Sequence, residues 1–215
     1  MLNQLIKNAQ PYWQQYVEHD FVKQLANGSL PAECFRHYLK QDYLYLFHYS
    51  RAFALAIFKA KNFSQMETPR KSLESICQEI QLHLAYCRQW GISEAEIFAT
   101  QESAACVAYT RYLLDCGATG GLAEIYAAIT PCAVGYAQIA RYITENYPRL
   151  ANNPYQTWID TYASEAFQKE AEETSVFLTA LCADFTPTQQ NHIQHIFTTA
   201  TRMEIAFWQM GLDLA

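Results

Sequence analysis

The chain has 215 residues, 51% of them apolar and 14% aromatic, which is ample for one sizeable core. Its seven glycines and seven prolines are few, which argues against a disordered chain and against an all-β architecture with many turns. The formal net charge of −6 and the absence of any basic run argue against nucleic acid as a partner, so we expect a small-molecule ligand, neutral or cationic.

Along the chain, apolar residues recur every three or four positions, which is the period of an amphipathic helix. Short polar or Gly/Pro-containing breaks interrupt this pattern, and no segment shows the alternation of a strand. We therefore predict a single-domain, all-α helical bundle covering 1–215. The predicted helices are 2–26, 31–60, 65–90, 93–116, 121–147, 153–184 (two helices, or one that bends) and 187–212.

The breaks carry recognisable helix signals. The segment NGSLP, from Asn27 to Pro31, separates the first two helices, and Cys116–Gly121 contains the strongest turn. Ser93 and Glu96 have the spacing of a capping box, in which each side chain satisfies a backbone N–H of the other. Thr186 is predicted to be the N-cap of the last helix, and Pro187 is predicted to be its first residue.

The seven cysteines include no CxxC pair and no Cys/His cluster with zinc spacing. The N-terminal residues lack the apolar core of a signal peptide, and no apolar run reaches the length of about 18 residues that spans a bilayer. We therefore expect a cytoplasmic protein with free thiols and no membrane partner. Because only 17% of residues are charged, some apolar surface is expected to lie between subunits.

Two carboxylates fall on apolar helix faces. Asp42 lies in the middle of the apolar stripe of the second predicted helix, and Glu204 lies within that of the last. Burying a carboxylate costs several kcal/mol unless it is paired, hydrogen-bonded or protonated. Each acid is therefore either a structural partner of a buried Arg, Tyr or His, or a member of a functional site.

The helix 121–147 adds a third unusual feature, because Pro131 lies inside it and is predicted to kink it. Cys132 follows directly and faces the interior, where it is either apolar filler or a nucleophile. Tyrosine is abundant, with 15 residues, and most are expected in the core. Some of them are expected to line a pocket for a flat aromatic ligand.

The spacing of acids and histidines argues against a metal site. Helical di-iron centres need paired Glu-x-x-His motifs, whereas Glu79 and His83 are four positions apart and have no second pair. His192 and His195 have no acid at a suitable spacing, and Glu170 and Glu173 resemble a solvated face. We predict neither a metal nor a cofactor.

Seven segments, in the same order and at similar spacing, resemble the TenA/thiaminase II family, which has a haem-oxygenase-like helical fold and uses no haem. The individual matches are weak, and the signal lies in their order along most of the chain. The segments are HDFVKQLANGSLP (19–31), QDYLYLFHYSRAF (41–53), EIQLH (79–83), AYTRYLL (108–114), TPCAVGYAQIA (130–140), YQTWIDTYASEAF (155–167) and RMEIAFWQMG (202–211).

The resemblance implies an aminopyrimidine aminohydrolase of thiamin salvage, a hydrolase of C–N bonds. Its implied substrate is 4-amino-5-aminomethyl-2-methylpyrimidine, which yields the hydroxymethyl pyrimidine and ammonia; thiamin would be a secondary substrate. Cys132 would be the nucleophile, Asp42 would hold and protonate the ring, and Glu204 would be the general acid/base for the leaving amine. Substrate-binding roles are implied for Asp42, Tyr45, Tyr109, Tyr136, Tyr162 and Phe207, whereas His83 receives no role.

The resemblance also implies a homotetramer, with a homodimer as the alternative. The chain departs from the family pattern at Ala133 and Val134, where bulky aromatics are frequent, and at Met203, often a tyrosine. These changes affect the expected shape of the pocket and leave the three catalytic candidates in place. We expect Cys132, Asp42 and Glu204 to meet at one closed pocket.

Alternatives remain open at this point. The same bundle would also serve as a non-catalytic pyrimidine-binding or regulatory protein. Another enzyme on the same fold, or a purely structural role, would also fit the helical pattern. A structural role alone leaves the two acids on apolar faces unexplained.

Overall fold

The computed structural model describes all 215 residues and contains eleven α-helices and no strand, which confirms the predicted all-α class. None of the helices combines the length and apolarity that crossing a membrane requires. The helices are α1 (Leu2–Asn8), α2 (Tyr12–Val17), α3 (Asp20–Asn27), α4 (Ala32–Lys59), α5 (Phe63–Gln89), α6 (Glu94–Ala99), α7 (Ala104–Thr119), α8 (Leu122–Asn146), α9 (Gln156–Ala163), α10 (Glu165–Leu181) and α11 (Pro187–Asp213).

Several helix signals in the sequence are confirmed. Ser93 and Glu96 form the capping box of α6, and Thr186 caps α11 with Pro187 at its first position. Gly28 ends α3 with a φ of 77°, a left-handed conformation that glycine adopts without steric cost. The 153–184 region is two helices, α9 and α10, and Ser164 caps the second of them.

Two predicted helices are wrong in extent. The region 2–26 is three short helices, because Pro11 has no N–H to continue α1 and His19 caps a new helix by accepting from the Phe21 N–H. The region 93–116 is interrupted after Ala99. There Ser103 caps α7 by accepting from the Cys106 N–H at 3.0 Å.

The long helices α4, α8 and α11 surround an aromatic core. Trp208 of α11 is fully buried and packs against Phe21, Tyr38 and Tyr136, with ring centroids 4.9, 5.4 and 5.3 Å away. Burial of aromatic rings is the largest single source of apolar stabilisation in such a core. The core therefore provides a rigid base for the side chains above it.

The packing of α2 on α8 requires a glycine. A Cβ at Gly135, one turn after Cys132, would lie 2.1 Å from the Tyr16 ring. The missing side chain lets the fully buried Tyr16 lie directly against α8.

Helices α5 and α10 flank this core on one side. Helix α5 packs mainly on α4 and α10 mainly on α8, while α5 and α10 make few contacts with each other. A cleft therefore opens between α5 and α10, and it leads down to the facing sides of α4 and α8.

Candidate active site

A cavity of about 590 Å³ occupies the cleft between α5 and α10. Asp42 and Tyr45 from α4, Cys132 and Tyr136 from α8, and Tyr162 from α9 line its inner part. Side chains from α5 and α10 line its outer part, among them Lys71, Ser75, Glu79, Lys169 and Glu170. The exposed residues of α10 place the opening at this outer end, so the expectation of a closed pocket is wrong.

Three of the predicted site residues lie beneath the cavity surface, namely Glu204, Tyr109 and Phe207. Glu204 is buried next to Cys132, close enough that its charge raises the pKa of the thiol. The Tyr109 hydroxyl donates to Glu204 Oε1 at 2.8 Å. Phe207 packs edge-on behind Tyr45 at 5.7 Å between centroids, so it supports the wall of the cavity and does not form it.

Asp42 is almost fully buried, and burial raises the pKa of its carboxyl to about 7, an effect that the nearby Tyr38 hydroxyl partly offsets. His83 lies 3.7 Å from Asp42 through Nδ1. Its Nε2 lies 2.9 Å from the Leu39 carbonyl, which can only accept, so Nε2 carries the hydrogen. Burial lowers the pKa of His83, so this ring is neutral and does not hold Asp42 ionised.

Burial also raises the pKa of Glu204, to about 8, and the hydrogen bond from Tyr109 lowers it in part. The Tyr16 hydroxyl has no hydrogen bond of normal geometry, although it is near enough to Glu204 to lower the same pKa. Glu204 is therefore a carboxyl that both gains and loses a proton near neutral pH, as a general acid/base requires.

The thiol of Cys132 is half-buried, because it forms part of the cavity surface. Burial and then the charge of Glu204 raise its pKa well above the ordinary value. The resting residue is consequently a thiol, and it needs a base before it can act as a nucleophile. Helix α8 runs through Pro131 as one helix, and Pro131 supplies no N–H to the preceding turn.

Tyrosines form two walls of the inner part. Tyr45 stacks on Tyr49 at 5.3 Å on the α4 side, and Tyr136 meets Tyr162 edge-on at 4.9 Å on the opposite side. The Tyr45 hydroxyl has no hydrogen bond of normal geometry, although it lies near Cys132 and lowers the thiol's pKa. Aromatic walls with a few polar groups suit a flat ring.

Sequence reasoning gave no role to Glu79, which lies in the outer part of the cavity. Its carboxyl makes no hydrogen bond or ion pair, and burial, with the nearby Asp42, raises its pKa to about 7. Helix α5 has a weakly apolar pattern with many charges, so a single inward acid does not stand out there. Two sequence signals include Glu79, its four-residue spacing to His83 and the family-like segment EIQLH (79–83), and neither predicts a role for its carboxyl.

Residues 6–214 match the model of the TENA/THI-4/PQQC family. The chain belongs to this family. An uncharacterized protein of Haemophilus influenzae is 78% identical over 100% of both chains. An aminopyrimidine aminohydrolase of Halalkalibacterium halodurans is 35% identical over 97% of this chain and 94% of the relative.

Solved structures of other proteins share the architecture. A protein from Silicibacter sp., described as a TenA family transcription regulator, superposes with a TM-score of 0.92 at 37% identity, covering 98% of this chain and 96% of that one. A Shewanella denitrificans domain described as having a heme oxygenase-like fold gives a TM-score of 0.79 at 14% identity, covering 100% of this chain and 93% of that one. The haem-oxygenase-like fold predicted from the sequence is thus confirmed.

Proposed function

We propose that this protein is an aminopyrimidine aminohydrolase that acts in thiamin salvage through Cys132. The observation that carries the proposal is the set of three proton-exchanging groups at one end of a cavity. The Cys132 thiol and Asp42 line the cavity, and Glu204 lies beneath its surface near the thiol. The pKa values of Asp42 and Glu204 are about 7 and 8. The names of the 30–35% identical relatives support the same activity.

The first step in the proposed mechanism activates the ring. A protonated Asp42 donates its proton to a pyrimidine ring nitrogen, which makes the neighbouring ring carbon electron-poor. Tyr45 and Tyr136 hold the ring between the aromatic walls, near the thiol. The raised pKa of Asp42 favours this step, because it keeps part of the carboxyl protonated near neutral pH.

The second step forms the covalent bond. An ionised Glu204 takes the proton of Cys132 as Sγ bonds to the ring carbon, so no free thiolate has to exist beforehand. The C–N bond of the methylene arm then breaks, and Glu204 returns the proton to the nitrogen, which leaves as ammonia. Water adds to the methylene carbon and gives its proton to Glu204. The S–C bond then breaks, Cys132 Sγ takes that proton from Glu204, and Asp42 recovers the ring proton.

Direct assay of the purified protein tests this function. Incubation with 4-amino-5-aminomethyl-2-methylpyrimidine in ¹⁸O-labelled water should release one ammonia for each hydroxymethyl pyrimidine formed. The product should carry one labelled oxygen, because water supplies the hydroxyl. Absence of ammonia, with the ligand bound and unchanged, would contradict the enzymatic proposal.

A regulatory pyrimidine-binding protein is the second candidate, favoured by the description of the Silicibacter relative. The net charge of −6 counts against direct contact with DNA. Tight binding of the aminomethyl pyrimidine without product in the same assay would select this candidate.

We also propose that the chain assembles as a homotetramer, or failing that a homodimer. Large apolar side chains are exposed at Phe58 (81%), Phe63 (72%) and Leu82 (70%). Such residues are costly on the surface of an isolated chain when they are contiguous. Light scattering of the purified protein measures the assembly state, and a monomeric mass would contradict this proposal.

A further inference from the structure

We propose that Tyr16 is a positioning residue for the reaction, because its hydroxyl donates a hydrogen bond to the ionised carboxylate of Glu204, the base for Cys132. The inference rests on the proposed function for the role of Glu204 as a base, whereas the hydrogen bond itself is a property of the protein without substrate. Tyr16 lies on α2 and does not line the cavity, and no motif in the sequence gives it a role.

The position of the Tyr16 ring is the first argument. Tyr16 is fully buried, and its ring stacks on Trp208 at 6.3 Å and meets Trp13 edge-on at 5.9 Å between centroids. Glu204 lies on α11 one turn before Trp208. The two tryptophan rings therefore fix the phenol beside the helix that carries the base.

The missing side chain of Gly135 is the second argument. Gly135 lies on α8 one turn after Cys132, and a Cβ there would be 2.7 Å from the Tyr16 hydroxyl oxygen. This separation is shorter than real Cβ atoms show, so any other residue at this position would push the phenol away. Glycine lets the hydroxyl of Tyr16 lie directly against the helix that carries the thiol.

The unpaired hydrogen of Tyr16 is the third argument. Burial, and then the charges of Glu204 and Cys132, raise the pKa of this phenol, so it remains protonated and can donate. Its hydroxyl has no hydrogen bond of normal geometry, and a buried donor without an acceptor is costly. Among the groups that act on its pKa, only Glu204 ionises near neutral pH, whereas the others do not, namely Cys132, Tyr109 and Tyr38. An ionised carboxylate is an acceptor only, so its formation completes the bond.

The surroundings of Glu204 make each donor important. Its titratable neighbours on the other helices, besides Tyr16, are Tyr109 on α7, Cys132 and Tyr136 on α8, and Asp42, Tyr45 and Tyr49 on α4. None of these six groups carries a positive charge, so hydrogen-bond donors stabilise the ionised carboxylate. Tyr109 supplies one donor, 2.8 Å from Oε1, and Tyr16 supplies the other.

The consequence for the reaction is a larger supply of base. Hydrogen bonds to the ionised form of a carboxyl lower its pKa, and the effect of Tyr16 on Glu204 has this direction. More of Glu204 is then ionised near neutral pH and ready to take the proton of Cys132. Tyr16 keeps its own hydrogen throughout, so it acts through Glu204 and not on the substrate.

Infrared titration of the substrate-free protein tests the hydrogen bond. The carbonyl band of a protonated carboxyl disappears on ionisation, and the band of Glu204 is identified by its absence in Glu204→Gln. Its midpoint should lie at about pH 8 in the parent protein. In Tyr16→Phe the midpoint should rise by about one pH unit, because one hydrogen bond to a charged group has an effect of about that size.

Tyr126→Phe is the matched control. Tyr126 is also fully buried, and its hydroxyl also lacks a hydrogen bond of normal geometry. Its pKa is raised by burial, and Glu204 is not among the groups that shift it. Tyr126→Phe should therefore leave the midpoint of Glu204 within about 0.2 pH units of the parent value.

The pH profile of kcat/KM connects the hydrogen bond to catalysis. Because the pKa of Glu204 lies above that of Asp42, the form with one proton carries it mainly on Glu204, and the alkaline limb of the profile reports Glu204. In Tyr16→Phe this limb should move from about pH 8 to about pH 9, and the maximum should fall by roughly fivefold to tenfold. A packing defect alone would lower the maximum and leave the limb in place.

An unchanged midpoint of Glu204 in Tyr16→Phe, or an equal shift in Tyr126→Phe, would overturn the hydrogen bond. In a protein that releases ammonia, a shifted midpoint with an alkaline limb that stays in place would overturn the positioning role. The titration needs no substrate, so it separates this inference from the proposed function. Active protein with an unchanged midpoint keeps the function and loses the role of Tyr16, whereas protein that releases no ammonia loses the function and the positioning role and leaves the hydrogen bond to the titration.

Discussion

The inner and outer parts of the cavity use the same residue types under different physical conditions. In the inner part, Asp42 is almost fully buried and Cys132 stands on a rigid aromatic core. In the outer part, Lys169 and Glu170 are exposed on a helix face in contact with water. Burial shifts the pKa of Asp42 and Glu204 into the neutral range, whereas water screens the exposed charges of Lys169 and Glu170. The comparison indicates that the groups suited to transfer protons next to Cys132 lie in the inner part of the cavity.

The largest expected loss of activity among the acids of the cavity comes from removing the proposed general acid/base of the inner part, Glu204. Glu204→Gln keeps the shape of the side chain and its acceptor for the Tyr109 hydroxyl, but it cannot exchange a proton. We expect kcat for the aminomethyl pyrimidine to fall by about 100-fold or more, because acid/base groups contribute factors of that order. Steady-state kinetics measure this, and a loss confined to KM would contradict the assignment.

The pH dependence of kcat/KM sharpens the comparison, because the two inner groups that transfer protons should determine its shape. The reaction requires Asp42 to be protonated, and the protonated fraction falls above its pKa of about 7. It requires Glu204 to be ionised, and the ionised fraction falls below its pKa of about 8. The profile should be bell-shaped, with its maximum between these values and a fall of about tenfold per pH unit on each side. The titration of the substrate amine is measured separately and removed. A plateau from about pH 6 to 9 would be inconsistent with two titrating groups.

The raised pKa of Glu204 also predicts an effect on stability. Between the ordinary pKa of 4.5 and the folded value of about 8, the unfolded chain ionises this carboxyl and the folded protein does not. Rising pH therefore favours the unfolded state over that window, and Gln at this position removes the effect. Near pH 4, Glu204→Gln should leave the free energy of unfolding unchanged. Above about pH 8, it should raise the free energy of unfolding by roughly 1–3 kcal/mol.

Urea denaturation of both proteins at several pH values measures this difference. A gain that is the same at every pH would show that its origin is not the ionisation of Glu204. The variant would then be more stable for a reason unrelated to its role in the site.

The smallest expected effect lies at the exposed end of the cavity. Glu170→Gln should change kcat for the aminomethyl pyrimidine by less than about twofold and the free energy of unfolding by at most about 0.5 kcal/mol. Glu170 is exposed, and its carboxylate accepts a single hydrogen bond, from Ser75 Oγ. A large loss of kcat would contradict the proposal that the outer part takes no part in proton transfer.

The difference between the two parts of the cavity also determines which site residues can be predicted from the sequence. Asp42 and Glu204 stand out in the sequence because each interrupts an apolar stripe, and the structure buries both. Glu79 does not stand out, because α5 carries charges on most of its faces and only the neighbouring α10 turns one of those faces into a cavity wall. Contacts between helices distant in sequence have no local signature.

The helix boundaries show the same limit. The capping box at Ser93 was readable, because its two partners are three residues apart. The sequence does not predict the division of 2–26 at Pro11 and His19, because apolar residues keep their helical spacing across the breaks. Likewise, the position of Tyr109, Glu204 and Phe207 beneath the cavity surface depends on how α7 and α11 pack, which periodicity does not determine.

The most direct test of the account is the rate of ammonia release by two cysteine variants in parallel. Cys132 and Cys106 both have thiol pKa values raised mainly by burial, but only Cys132 lines the cavity. Cys132→Ala should lower kcat by about 1,000-fold or more with the fold intact by circular dichroism, whereas Cys106→Ala should retain kcat within about threefold. Undiminished turnover in Cys132→Ala would contradict the central claim that this thiol carries the reaction.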